Sequence, residues 1–431
     1  MSEWPSVPFG RIAKKLVNGG TPPTDVPRYW SGQIPWVTGA DFTPAGIGEF
    51  RRFVSDEATR ETATNVIEEG QLLLVTRTGV GKLAIAPCDI AISQDITGVY
   101  VDEEQADTAF LFHRMRQGVE DLKKLNQGTS INGIIRSDLV SYPVRLPPLS
   151  QQRRIAKILS TLDEAIEQTE ALIAKMQQVK AGLMHDLFTR GVTPDGRLRP
   201  TREQAPELYK ESPLGWIPKE WELNKLSEVA DINRGKFTIR PRNDPRFYGG
   251  DYPFIQTGDV SLAKGRVLTT YSQTLNAAGL SVSRLFDAGT IMVTIAANIA
   301  DTCILGLPMC APDSLVGVLP NKGQVSRFLE LCIRRRKSWL EARAPQTAQK
   351  NINLEDLRPL LILTPCQHEQ ETIAAIYESF DSSLDASEQE VEKLRQQKYG
   401  LMHDLLSGRV LVPVVNVSTI AHVPISSEVN S

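Results

Sequence analysis

The sequence predicts an α+β chain made of two tandem copies of one plan. Each copy is a mixed domain followed by a long helix, and the two helices pair as an antiparallel coiled coil about a pseudo-twofold axis. Three observations predict this: an internal repeat, an apolar seam in the rear of each copy, and short β-branched runs in the front. Slid against itself by 218 positions, the chain places residues 182–187 (GLMHDL) on 400–405 (GLMHDL). The same offset pairs Asp138-Leu139 with Asp356-Leu357, Pro147 with Pro365 and Asp163 with Asp381, whereas upstream agreement is looser.

In chain order, residues 1–148 form the first front domain, 149–190 a helical spacer and 191–220 a connector. Residues 221–365 form the second front domain, 366–408 the second helix and 409–431 a tail without counterpart in the first copy. In the front domains, residues 71–76 (QLLLVT) and 290–295 (TIMVTI) have the apolar, β-branched character of buried strands. Glycine and proline punctuate the rest as loops, and residues 325–340 are expected to form one helix. In the rear parts, alternating steps of four and three from Ile155 land on Leu159, Leu162, Ile166, Thr169, Ile173, Met176, Lys180, Leu183 and Leu187. From Ile373 they land on Tyr377, Phe380, Leu384, Ser387, Val391, Leu394, Lys398, Leu401 and Leu405. This is a coiled-coil seam. Its polar exceptions coincide in the two copies: Thr169 with Ser387, and Lys180 with Lys398. They either discriminate against shifted registers or are tolerated residues that reach for solvent. The connector is rich in proline, glycine and charge, and an irregular path is expected.

Composition narrows the function. A hydrophobic fraction of 41% and a charged fraction of 23% are those of a soluble globular protein. No apolar run approaches the roughly 20 residues that cross a bilayer, so no membrane partner is expected. Five scattered cysteines suggest reduced thiols in the cytoplasm. The formal charge of −3 is unevenly spread: residues 221–365 carry 18 basic and 13 acidic side chains, residues 1–148 carry 15 and 18. Nucleic-acid binding would therefore rest on local patches or on a partner's charge.

A duplicated variable domain plus helix resembles the specificity subunits of type I restriction–modification systems. Residues 146–156 (LPPLSQQRRIA) look like that family's Pro-Pro, Glu/Gln-Gln helix start. Residues 188–191 (FTRG) and 214–221 (LGWIPKEW) resemble its link between repeats, and 346–352 (QTAQKNI) its Thr-Gln-Lys-Asn-Ile segment; residues 128–132 (GTSIN) are a weaker version. The second copy reads TPCQHEQ over 364–370 and lacks the double proline. The resemblance spans about residues 4–408. It implies two target-recognition domains that read the halves of a bipartite, asymmetric site in double-stranded DNA. It also implies helices that dock two modification (methyltransferase) subunits, and ATP-dependent restriction subunits that translocate and cut DNA.

No catalytic chemistry of the chain's own is expected, and no cofactor or metal. His185-Asp186 and His403-Asp404 would need further convergent ligands to hold a metal, and both pairs close a helix. Residues 78–82 (TGVGK) lack the first glycine and the Ser/Thr of a phosphate loop, with Thr76 and Leu83 in those places. The alternative class is a non-catalytic coiled-coil adaptor without DNA readout. The candidate DNA contacts are Arg51, Arg52, Arg77 and Lys82 in the first domain, and Arg234, Lys236, Arg240, Arg242 and Arg246 in the second. Arg334-Arg335-Arg336-Lys337 is expected to be a solvated helix face.

Helix length sets an expected spacing. The 32 steps from Ile155 to Leu187 give about 48 Å at roughly 1.5 Å per residue, or about 14 base pairs at 3.4 Å each. Inserting one heptad into a helix keeps the seam in phase. It should lengthen the unread spacer by up to about 3 base pairs and leave both read blocks unchanged. Methylome mapping checks this; an active variant with altered blocks and an unaltered spacer contradicts it.

Overall fold

The computed structural model describes residues 4–43, 46–124, 133–239, 243–296, 298–344, 351–410 and 412. The chain divides into two compact units, Met1–Ala174 with Ala386–Ser431, and Lys175–Asp385. Each unit therefore holds one front domain, part of the helix that follows it, and part of the other long helix.

In the first unit, one sheet orders its strands Phe53–Val54, Ile34–Val37, Ile90–Ile92, Asn65–Ile67. The other orders them Ala13–Asn18, Ile96–Val101, Leu72–Val75, Leu83–Ile85. The second unit repeats both orders: Gln273–Leu275, Tyr248–Phe254, Met309–Ala311, Arg284–Phe286, and Ala230–Arg234, Leu315–Pro320, Ile291–Thr294, Thr302–Leu305, with Val267–Leu268 added at the edge. Even the parallel pair recurs, Ile34–Val37 with Ile90–Ile92 and Tyr248–Phe254 with Met309–Ala311. The apolar runs read as strands are strands, and Leu72–Val75 and Ile291–Thr294 are buried along their whole length. Where one sheet meets the other, a large side chain lies over a glycine. A Cβ on Gly98 would stand 2.3 Å from Ile67 Cδ1, and one on Gly317 2.3 Å from Phe286 Cε1. Only glycine admits such an approach.

The long helices run Leu149–Thr189 and Gln367–Leu406. Every seam position read from the sequence is buried or half-buried. Within the first unit, the start of the first helix packs with the end of the second: Ile155 and Leu159 share a core with Leu405 and Leu406. Within the second unit, Leu187 and Phe188 share a core with Ile373 and Tyr377. The pairing is antiparallel in both. The seam lysines do not escape to solvent. Lys398 pairs with Asp163 and Lys180 with Asp381, so one ion pair is written into each unit at equivalent places. A buried lysine is costly unless its partner lies opposite, which ties the polar seam positions to register. Thr169 instead bonds its own helix, donating to Ala165 O at 2.7 Å.

A glutamine locks each helix start to its domain. Gln152 Nε2 donates to Pro147 O (2.9 Å) and Gln105 O (3.1 Å), while its Oε1 accepts from Asp107 N (2.9 Å). Gln370 makes the matching set with Pro365 O (2.9 Å), Gln324 Oε1 (3.1 Å) and Val325 N (3.0 Å). Both amides are buried and use donors and acceptor alike.

Three expectations need correction. The helix read over 325–340 is two helices, Ser326–Arg335 and Lys337–Arg343, broken at Arg336. Residues 327–333 are buried on every side, and Leu340 in the second of the two helices is buried as well. The Arg334–Lys337 run is not a solvated face either. Arg334 pairs with buried Glu330 (3.0 Å) and donates to Tyr377 Oη (2.9 Å). Arg335 stacks on Phe188 with 4.7 Å to the centroid, Arg336 stacks on Trp339, and Lys337 reaches Asp301 at 2.5 Å. The connector is irregular only in its first part: after the turns over 191–208 it holds the hairpin Tyr209–Ser212/Gly215–Pro218. It is anchored by Arg199, which is buried and donates from Nη2 to Glu369 Oε2 at 3.0 Å. Glu369 also accepts from Val192 N (2.8 Å) and Trp221 Nε1 (3.0 Å).

His113 lies buried beside the Lys398–Asp163 pair, with Nε2 3.2 Å from Ser160 Oγ and Nδ1 3.9 Å from Asp163. Burial above all pushes its pKa down to about 4, Lys398 and Arg116 add to the depression, and Asp163 opposes it. Unfolding restores a value near 6.5, so the unfolded chain binds the extra proton. This histidine's contribution to stability is therefore complete above about pH 6.5 and is lost as pH falls toward 4. A His113→Phe variant should lose less stability over that interval, as read by urea unfolding at each pH.

Candidate nucleic-acid interface

The candidate residues fall into two groups, those already tied to the protein and those left facing outward. Arg51 and Arg52 converge on buried Asp41. Arg51 Nε donates to Asp41 Oδ1 at 3.1 Å, Arg52 lies 3.7 Å from Oδ2, and Arg52 stacks on Trp36 at 4.4 Å. Burial pushes the Asp41 carboxyl up, but hydrogen bonds from Arg51 and Thr38 outweigh it and hold the pKa below the usual range. Lys82 Nζ donates to Gly39 O at 2.8 Å. Arg246 forks onto Asp244 at 2.6 and 3.0 Å. These four side chains hold loops in shape. Arg240 and Arg242 lie outside the described residues.

Arg77, Arg234 and Lys236 are different. Arg77 is exposed at the rim of a cleft of about 410 Å³ that also holds Asn18, Gln94, Thr97, Gly133 and Arg136. Arg234 and Lys236 are exposed at the end of strand Ala230–Arg234, next to Arg284. Sequence reading missed Asn18, Gln94, Arg136 and Arg284. The signal for Arg284 was available: it is 219 residues after Asn65, and the residue at that place changes from amide to guanidinium between copies.

The two outward-facing groups sit on one shared backbone frame. In the first unit Gly19 N donates to Ile96 O (3.3 Å) and Gly20 N to Ile92 O (2.9 Å). In the second, Gly235 N donates to Leu315 O (2.8 Å) and Lys236 N to Ala311 O (2.9 Å). The chain is pressed so close that a Cβ on Gly19 or Gly235 would lie 2.1 Å from a carbonyl oxygen, Ile92 O or Pro312 O. On this frame the first copy carries Asn18, Gly20, Asn65 and Gln94, and the second Arg234, Lys236, Arg284 and Asp313. Amides and guanidinium groups on a rigid frame are the groups that read base edges, while loose cations bind phosphate.

Asp186 O accepts from Arg190 N and Gly191 N, and Asp404 O from Arg409 N and Val410 N, so both His-Asp pairs terminate helices. Among the described residues no group of three or more His, Cys, Asp or Glu side chains could hold a metal, and no helix is long and apolar enough to cross a membrane.

The family model described as type I restriction modification DNA specificity domain matches twice, over residues 1–178 and 218–396. The chain is 26% identical over 427 residues to the type I restriction enzyme MjaVIII specificity subunit of Methanocaldococcus jannaschii, covering 96% of this chain and 94% of that one. It is 22% identical to the type I restriction enzyme EcoBI specificity subunit of Escherichia coli, covering 93% and 78%. Its fold is similar to the crystal structure of a type I restriction–modification S subunit from M. genitalium, with a TM-score of 0.61 at 15% identity over 93% of this chain and 96% of the other. Two domains of one architecture, each feeding a long helix and each matched by the same family model, place this chain in the family of type I restriction–modification specificity subunits.

Proposed function

We propose that the chain is the non-catalytic, cytoplasmic DNA-reading subunit of a type I complex, with each domain recognising one block of a bipartite, asymmetric site. The observation that carries this reading is the shared frame with unlike side chains: one geometry that presents Asn18, Asn65 and Gln94 in one copy and Arg234, Arg284 and Asp313 in the other. A pure adaptor has no need of such divergence at matched, exposed positions. The two modification subunits dock on the helices, whose sequences are the best-matched part of the copies, and the restriction subunits join that assembly. No cofactor is bound by this chain. The test is methylome mapping of a host carrying the modification subunit with and without this chain. Adenine methylation confined to one bipartite motif, present only with the chain, supports the reading; methylation independent of the chain contradicts it.

A further inference from the structure

We propose that one position on the frame, Asn18 in the first domain and Arg234 in the second, is the base-reading position of each, taking adenine in one block and guanine in the other. This rests on the DNA-reading function above and names the side chains that set it.

The position is singled out by its support. The backbone carbonyl of Asn18 accepts from Asn65 Nδ2 at 2.8 Å, and that of Arg234 from Arg284 Nη1 at 2.8 Å. Both carbonyls are thus clamped from the same neighbouring strand, Asn65–Ile67 or Arg284–Phe286. The glycine that follows each allows the chain to lie against the next strand, so the residue before it has little freedom. Both side chains are exposed, yet each is oriented by one bond. Asn18 Oδ1 accepts from Thr97 Oγ1 at 3.3 Å, and Arg234 Nε donates to Asp313 O at 2.6 Å.

What each side chain still offers decides the base. The Asn18 amide keeps its NH2 group and a second lone pair on Oδ1. That donor–acceptor edge matches adenine N7 and N6 in the major groove. The Arg234 guanidinium is engaged through Nε, and on this exposed residue its two terminal nitrogens are the donors left to offer. Two parallel donors match guanine O6 and N7. Asn65 and Arg284 are positioning residues, since one nitrogen of each is committed to the clamp. Lys236 extends beside Arg234, where the first domain has Gly20, and adds a phosphate-binding charge.

The experiment uses the assembled complex of this chain with its modification subunit. Mobility shifts measure its preference at every base pair of both blocks, replaced one at a time, for the wild type and for Arg234→Asn and Asn18→Arg. The wild type should lose about tenfold to a hundredfold in binding when the base pair under each position is changed. Arg234→Asn should abolish the preference at a single G·C pair in one block, and Asn18→Arg at a single A·T pair in the other, with the remaining profile unchanged. Variant profiles that match the wild type at every pair overturn the assignment while leaving the DNA-reading function standing. A wild-type complex with no base preference anywhere overturns that function itself. If Arg234→Asn melts early or does not bind, Arg234→Lys retains the charge without the fork. It should bind with relaxed choice at that same pair, and an unrelaxed profile counts against the proposal.

Discussion

Replacing Arg199 with alanine should cost about 3–5 kcal/mol, the usual penalty for removing one partner of a buried ion pair. Arg199 is buried in the connector and holds Glu369, which is itself buried at the start of the second long helix. Without the guanidinium, the carboxylate keeps only the N–H groups of Val192 and Trp221. The loss should be seen as a lower urea midpoint with an unchanged m-value. Replacing both residues together by apolar groups of similar volume should recover most of it, since a buried pair exchanged for good packing is often neutral. A single variant that unfolds like the wild type would show that the connector is not anchored by this pair.

The second large effect concerns the helices as a platform. Met176 lies within Leu149–Thr189 and is half-buried on the seam. Proline there removes a backbone donor and clashes with the preceding turn, at a cost of about 3 kcal/mol or more. Met176→Pro should abolish co-purification with modification subunits. An assembled complex of normal stoichiometry with this variant would mean that the helices are not the docking surface.

Much of this architecture was legible because it repeats. Strand runs such as 72–75 are apolar and β-branched in both copies, and the seam keeps its 3.5-residue period for more than four heptads. Pairing was not legible. Nothing in the text says that Lys398 meets Asp163 or that Gln152 turns back onto Pro147, since both depend on how the chain returns through space. The Arg334–Lys337 run misled for the same reason. Four adjacent cations on a helix suggest solvent, yet tertiary packing supplied Glu330, Tyr377, Phe188, Trp339 and Asp301 as partners. The interface was half legible. Clusters of arginine drew attention to Arg51, Arg52 and Arg246, whose carboxylate partners only the fold reveals. The amides of the first domain carry no charge and passed unnoticed. What marks them is their alignment with Arg234 and Arg284 on a common frame.

On this reading the chain chooses DNA by sequence in two blocks. The most direct test is selection from randomised duplexes by the chain assembled with its modification subunit, followed by sequencing of the bound fraction. The expected result is enrichment of two short, unlike blocks separated by an unread spacer of constant length, and no such enrichment with the modification subunit alone. A bound pool as random as the input, or the same motif recovered without this chain, would contradict it.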